Sequence, residues 1–230
     1  MTMKTSKTLF RKISLFAAVI AFTTVFSSCS DDDNIEEGMS LNLKVVNAAE
    51  GSGSQELYLE GTKITTVAEG ESQGYVATAN SGNNKNLEFK KSGSTEVYAS
   101  QKVDFKNNNN YTVILSGTGN AAKVTVAEDG SLTAPASGKA KVRFVHLSTK
   151  VDNSVDIGTE SGQNLITGLG YGKVSNFIEV DAGLALLNAN VSGTSSNPIA
   201  LRFANLAAGK IYTVVIKGSS EVSTQIVAHN

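Results

Sequence analysis

The chain is poor in the residue types that build most chemical sites. Its 230 residues hold one cysteine, two histidines, two prolines and no tryptophan. One cysteine excludes an intramolecular disulfide and any cysteine-based zinc site, so folding rests on packing and strand pairing. Two histidines without a second cysteine cannot assemble a His/Cys metal centre, and no D-x-D-x-D loop marks a calcium site. No metal or other cofactor is expected. Without tryptophan, the strongest stacking platform for a sugar is missing, although six tyrosines remain. No stretch after residue 40 shows a sustained helical period. Basic charge is also scarce. Lys4, Lys7, Arg11 and Lys12 all precede Cys29 and no acid does, so removing residues 1–28 takes the formal charge from −1 to −5. That balance argues against nucleic acid and against electrostatic attraction to anionic lipid headgroups. At 40% hydrophobic the chain is too apolar to be disordered, and a core is expected.

Residues 1–12 are basic and acid-free, and Ile13 to Phe26 form an apolar run ending in Ser27 and Ser28. This is the layout of a secretory signal. A helix of 14 residues covers roughly 21 Å, short of a hydrocarbon core of about 30 Å, so a cleaved signal fits better than a permanent span. Val25 to Cys29 resembles the lipobox of bacterial lipoproteins, with Phe26 where leucine is commonest. The resemblance implies that Cys29 is lipidated and becomes the mature N-terminus. Two or more acyl chains, at about 0.8 kcal/mol per buried methylene, would then hold the protein on a membrane. In the Gram-negative lipoproteins this resembles, Ser30 in place of aspartate implies the outer membrane. Asp31, Asp32 and Asp33, with Glu36 and Glu37, resemble an acidic tag for export to the cell surface. The same acids also read as a solvated spacer in a tether over residues 29–39. Extended, Ser30 to Met39 reaches on the order of 33 to 36 Å.

From Ser40 onward period-two alternation dominates, and the expected fold is all-β: two tandem immunoglobulin-like antiparallel β-sandwiches. Leu41, Leu43 and Val45 share one face, as do Val142 and Phe144, and Tyr212, Val214 and Ile216. Turn clusters such as Gly51 to Ser54, Ser81 to Asn84, Asn107 to Asn110 and Ser192 to Pro198 separate the runs. The halves repeat. Lys44-Val45-Val46-Asn47 aligns with Arg143-Phe144-Val145-His146, 99 residues on. Leu57-Tyr58-Leu59 aligns with Val155-Asp156-Ile157 at 98, and Tyr111 to Ile114 with Tyr212 to Val215 at 101. The expected boundaries are a first sandwich over 40–128, a linker over 129–139 holding Gly130, Pro135 and Gly138, and a second sandwich over 140–230. Each is small, so an interface between them would stabilise both.

Four blocks then point to a family: Val142 to Ser148, Val155 to Ile157, Leu169 to Gly183, and Gly209 to Val215. In this order they resemble domain-of-unknown-function family 4397 over about residues 140–228. The family's prolines after the Ser148 position are absent, and the first half keeps the pattern weakly, with Asn47 at the histidine position. The resemblance implies a β-sandwich of bacterial cell-surface proteins and carries over no activity.

Other motifs divide between chemical and structural readings. Gly70-Glu71-Ser72-Gln73-Gly74 matches the G-x-S-x-G nucleophile elbow, which needs a strand-to-helix turn and a histidine in reach. The alternation after Gly74 reads as strand, so a serine hydrolase using Ser72 stays a remote alternative and a Ser/Gly turn is favoured. His146, in phase with Val142 and Phe144, reads as a hydrogen-bonded histidine at the core margin. Asp156 reads as a solvated or turn-capping carboxylate, and Gly168 to Gly172 as a hairpin turn rather than a phosphate loop. Tyr58, Tyr75, Tyr98 and Tyr171 are the candidates for ligand-facing aromatics. The reading that best fits these features is a non-enzymatic, lipid-anchored envelope protein, outward-facing, acting as a binding, adhesion or scaffold module for a protein or glycan ligand. A periplasm-facing structural or assembly accessory is the alternative.

Overall fold

The computed structural model describes residues 40–130, 132–194 and 198–230. Cys29, Asp31, Asp32 and Asp33 lie outside them. The described residues all fall in one compact unit. No α-helix occurs among the described residues; they carry sixteen strands and a short 3₁₀ turn at Gly119–Ala121. None of their helical segments is long and apolar enough to cross a membrane.

The first half holds β1 (Leu41–Asn47), β2 (Gln55–Leu59), β3 (Thr62–Val67), β4 (Val76–Thr78), β5 (Gly82–Lys91), β6 (Val97–Phe105), β7 (Asn110–Ser116) and β8 (Lys123–Glu128). They form two sheets, ordered β4-β1-β7-β8 and β3-β2-β5-β6. The second half holds β9 (Lys139–His146), β10 (Val155–Gly158), β11 (Asn164–Leu169), β12 (Ile178–Asp181), β13 (Leu186–Val191), β14 (Ile199–Arg202), β15 (Ile211–Lys217) and β16 (Ser223–Ala228). Its sheets, β12-β9-β15-β16 and β11-β10-β13-β14, keep the same order. The three alignments read from the sequence therefore join strands in equivalent places: β1 with β9, β2 with β10, and β7 with β15.

Alternation explains each sandwich. Leu41, Leu43 and Val45 of β1 and Tyr111, Val113 and Leu115 of β7 point inward, where they meet Leu57, Leu59, Leu87 and Phe89 of the facing sheet. Val142, Phe144, Val214 and Ile216 do the same against Val155, Ile157, Leu187 and Leu201. The expected antiparallel pairing holds for most of the ladders but not at the centre of two sheets. β1 pairs β7 in parallel from Asn42↔Asn110 to Asn47↔Leu115, and β9 pairs β15 in parallel from Lys141↔Ile211 to His146↔Ile216. Parallel neighbours need a long connection, and here the chain crosses through the facing sheet between them.

A third apolar cluster joins the halves. Val46, Ala48 and Ile114 pack against Val145, Leu147, Val215 and Val227. The sheets containing β1 and β9 thus stack through the faces turned away from their own cores, and both central strands are buried on two sides. This is the interface that the small size of each half calls for.

Candidate functional site

The residues singled out by sequence fall in three places. Tyr58 lies on the outer sheet of the first half, donates to Glu56 Oε2 at 2.8 Å and lies under Lys90 at 4.6 Å. Tyr98 packs on the first core, and its hydroxyl accepts from the Gly119 amide at 3.3 Å. Tyr75 and Tyr171 lie at the junction of the halves. Tyr171 meets His146 edge-on and is covered by Lys123 of the other half at 5.2 Å. The Tyr75 hydroxyl donates to Asp129 and lies 2.8 Å from His229 Nδ1. Ser72 pairs with Val46 in an isolated antiparallel bridge, and the next element is β4 rather than a helix. The elbow geometry that a Ser72 nucleophile requires is therefore not formed.

His146 has a structural task. Its Nε2 lies 3.1 Å from the Asn153 carbonyl, which can only accept, so Nε2 carries the proton and Nδ1 is left without a partner among the described residues. Burial pushes its pKa below the usual histidine range. Asn47, at the matching position of the first half, donates Nδ2 to the Gly53 carbonyl at 2.9 Å. Both side chains tie down the loop after the first strand of their half. The histidine and its asparagine counterpart are thus two solutions to one loop-anchoring problem.

The junction holds a buried polar network that sequence reading missed. Lys44 and Arg143 occupy matching places on β1 and β9 and face away from their cores, yet they are only 6% and 2% exposed. Lys44 lies 4.8 Å above Tyr75, and Arg143 lies 4.6 Å above Phe177. Thr112 matches Thr213, and Asp129 matches His229, in the registers of their sheets. The hydrogen bonds close into a ring. Arg143 Nε donates to Thr213 Oγ1 at 2.9 Å, which lies 2.7 Å from His229 Nε2. His229 Nδ1 lies 2.8 Å from the Tyr75 hydroxyl, which donates to Asp129 Oδ2 at 2.6 Å. Asp129 Oδ1 accepts from Arg143 Nη2 and, at 2.9 Å, from Thr112. Since Tyr75 gives its proton to the carboxylate, it accepts from His229 Nδ1–H, and Nε2 accepts from Thr213. One neutral tautomer satisfies every link. Desolvation lowers the His229 pKa to about 4. Burial and then the Asp129 charge push Tyr75 well above the usual phenol range, and burial pushes Lys44 down. Asp129, the first residue after β8, is a buried anchor.

The outer sheet of the second half carries an open groove of about 550 Å³. Gly158 lies within it, with Asp156, Asn164, Asn188 and Asn190 around it. The ladder explains this grouping, because Gly158 stands opposite Asn188 on one side and Asn164 on the other, and Asp156 stands opposite Asn190. Asp156 Oδ1 accepts from the Gly168 amide and the Ser192 hydroxyl, both at 2.7 Å. These bonds, the Gly168 amide first, hold its pKa below the usual carboxylate range. It does cap a turn, as expected, and the Gly193 amide also bears on the same carboxylate.

The sequence profile of the Domain of unknown function (DUF4397) family matches residues 41–158. That span runs from β1 through β10, so it covers the first half and the opening of the second, whereas the resemblance read from sequence rests on residues 140–228. No curated protein matches. Among solved structures, the chain is similar to CBMbc (family CBM26) from Eubacterium rectale Amy13K in complex with maltoheptaose. The identity is 11% and the TM-score 0.22, covering 82% of this chain and 96% of that one. It is similar at 12% identity and a TM-score of 0.21 to the Bacillus anthracis TIE protein, covering 79% of this chain and 33% of that one. Superpositions this loose support no inference about ligand.

Proposed function

The chain belongs to the DUF4397 family, and on that premise we propose that it is a non-enzymatic lipoprotein of the outer membrane. In this reading acyl chains on Cys29 hold it, residues 29–39 form its tether, and the joined sandwiches face the cell exterior as a binding, adhesion or scaffold module. The observation that carries the binding reading is the open polar groove around Gly158. It lies on an outer sheet, facing away from the junction that locks the halves together. Support for the anchor comes from the small residues before the chain's one cysteine and from the short apolar run ahead of them. The acidic residues after Cys29 support outward export and suit a protein that does not depend on attraction to lipid headgroups.

The anchor is tested by Cys29→Ala. Metabolic labelling with an alkyne fatty acid marks the wild-type chain, and the variant leaves the membrane fraction unlabelled. Continued acylation of the variant would contradict the assignment.

A further inference from the structure

Resting on the reading of the chain as a binding module, we propose that the groove around Gly158 is a subsite for a neutral carbohydrate, its hydroxyls held by Asn164, Asn188 and Asn190. Asparagine is disfavoured in strands, yet Asn188 and Asn190 alternate on one face of β13, a central strand. Among the described residues no hydrogen bond engages the side chain of Asn164, Asn188 or Asn190. Gly158 lets the chain at Gln163 and Asn164 approach closely. A Cβ there would lie 2.7 Å from the Gln163 carbonyl oxygen, so the backbone itself demands glycine.

The first half shows that the fold does not require unpaired groups on this face. Asn86 and Glu88 occupy the places of Asn188 and Asn190, with Tyr58 in the place of Asp156. There Asn86 donates to Glu88 at 2.9 Å, Glu88 pairs with Lys90 at 3.2 Å, and Glu56 takes Tyr58 at 2.8 Å and Lys63 at 2.7 Å. One outer sheet satisfies itself, while the other offers three carboxamides to the groove.

The chemistry of that set selects the ligand. Each carboxamide brings two N–H donors and a carbonyl acceptor, which matches hydroxyls that both give and take hydrogen bonds. Asp156 and Glu160 in the lining disfavour an anionic ligand. The groove lies over the paired central strands β10 and β13, whose backbone groups are already used, so an extended peptide finds no ladder to join. No aromatic residue lines the groove, so recognition is by polar contact rather than stacking.

The test is amide NMR on the ¹⁵N-labelled full chain in detergent, titrated with neutral hexose and N-acetylhexosamine oligosaccharides, a sialylated oligosaccharide and an extended Ala-Ser peptide. The proposal expects the side-chain NH₂ signals of Asn164, Asn188 and Asn190 to shift with at least one neutral sugar while those of Asn86 stay fixed. Removing two carboxamides in N188A/N190A should weaken that binding about tenfold or more, with Glu88→Ala unchanged. No shift with any neutral sugar, shifts only with the sialylated sugar or the peptide, or undiminished binding by N188A/N190A overturns it. The wild-type titration does not depend on a variant folding. It is also independent of acyl labelling, so a groove that ignores sugars on a chain that is still acylated refutes this inference and leaves the anchor standing.

Discussion

Replacing Asp129 with alanine should cost far more than its place beside a loop suggests. Its side chain is fully buried, and it accepts from Arg143, Tyr75 and Thr112. Arg143, 2% exposed, keeps only the Thr213 hydroxyl and the Glu128 carbonyl once the carboxylate is gone. Breaking one side of a buried ion pair costs about 3–5 kcal/mol, because the other charge is left uncompensated. The loss does not simply add to the lost Tyr75 bond. Freed from Asp129, the Tyr75 hydroxyl can turn its proton to His229 Nδ1 once that imidazole takes its other tautomer. Removing both charges with apolar side chains, Asp129→Leu with Arg143→Met, should return stability to within about 1–2 kcal/mol of wild type. The coupling in a double-mutant cycle is then a few kcal/mol. The assay is urea unfolding followed by far-UV circular dichroism, since the chain has no tryptophan to report. An Asp129→Ala penalty below about 1 kcal/mol, or a double variant as unstable as the single, would refute the claim that this pair carries the junction.

The neutral state of His229 makes stability depend on pH. Its folded pKa of about 4 lies below the ordinary 6.5, so between those values the unfolded chain binds a proton that the folded chain refuses. This contribution is fully present above pH 6.5 and is lost as pH falls towards 4, at about 1.4 kcal/mol per pH unit and about 3 kcal/mol in all. Unfolding midpoints between pH 7 and 4.5 should fall, and His229→Gln should flatten the curve in part, since His146 is lowered in the same direction. An identical slope in the variant would contradict the assignment. Gly117 and Gly218 hold matching turns, and a Cβ would lie 2.3 Å from the Ala121 oxygen and 1.8 Å from the Glu221 oxygen. Gly218→Ala should cost more than about 2 kcal/mol, against about 1 kcal/mol for Gly183→Ala, where φ is positive but nothing is in contact. Equal thermal midpoints for the two variants would rule out the steric reading.

Alternation in the sequence makes the sandwiches legible because a strand's side-chain period is set by its own backbone. Leu43, Val45, Val142 and Phe144 announce their cores, and the recurring spacings announce the matching strands. The second buried face of β1 and β9 is not legible, because Lys44 and Arg143 look like solvated residues until their partners are known. Those partners are remote in sequence: Thr213 lies 70 residues from Arg143, and His229 lies 154 from Tyr75. The parallel pairing of β1 with β7 is hidden for the same reason, since no local signal orders strands so far apart. A signal for the groove was present in the alternating Asn188 and Asn190 within a strand-like run. Alone it reads only as an outward polar face, and it gains meaning from the paired side chains that the first half carries in the same places.

Protease treatment of intact cells bearing the chain tests the central claim most directly. An outward-facing lipoprotein loses its epitope on residues 40–230 while a periplasmic control survives. Protection of that epitope in intact cells, with cleavage only after the outer membrane is opened, would contradict it.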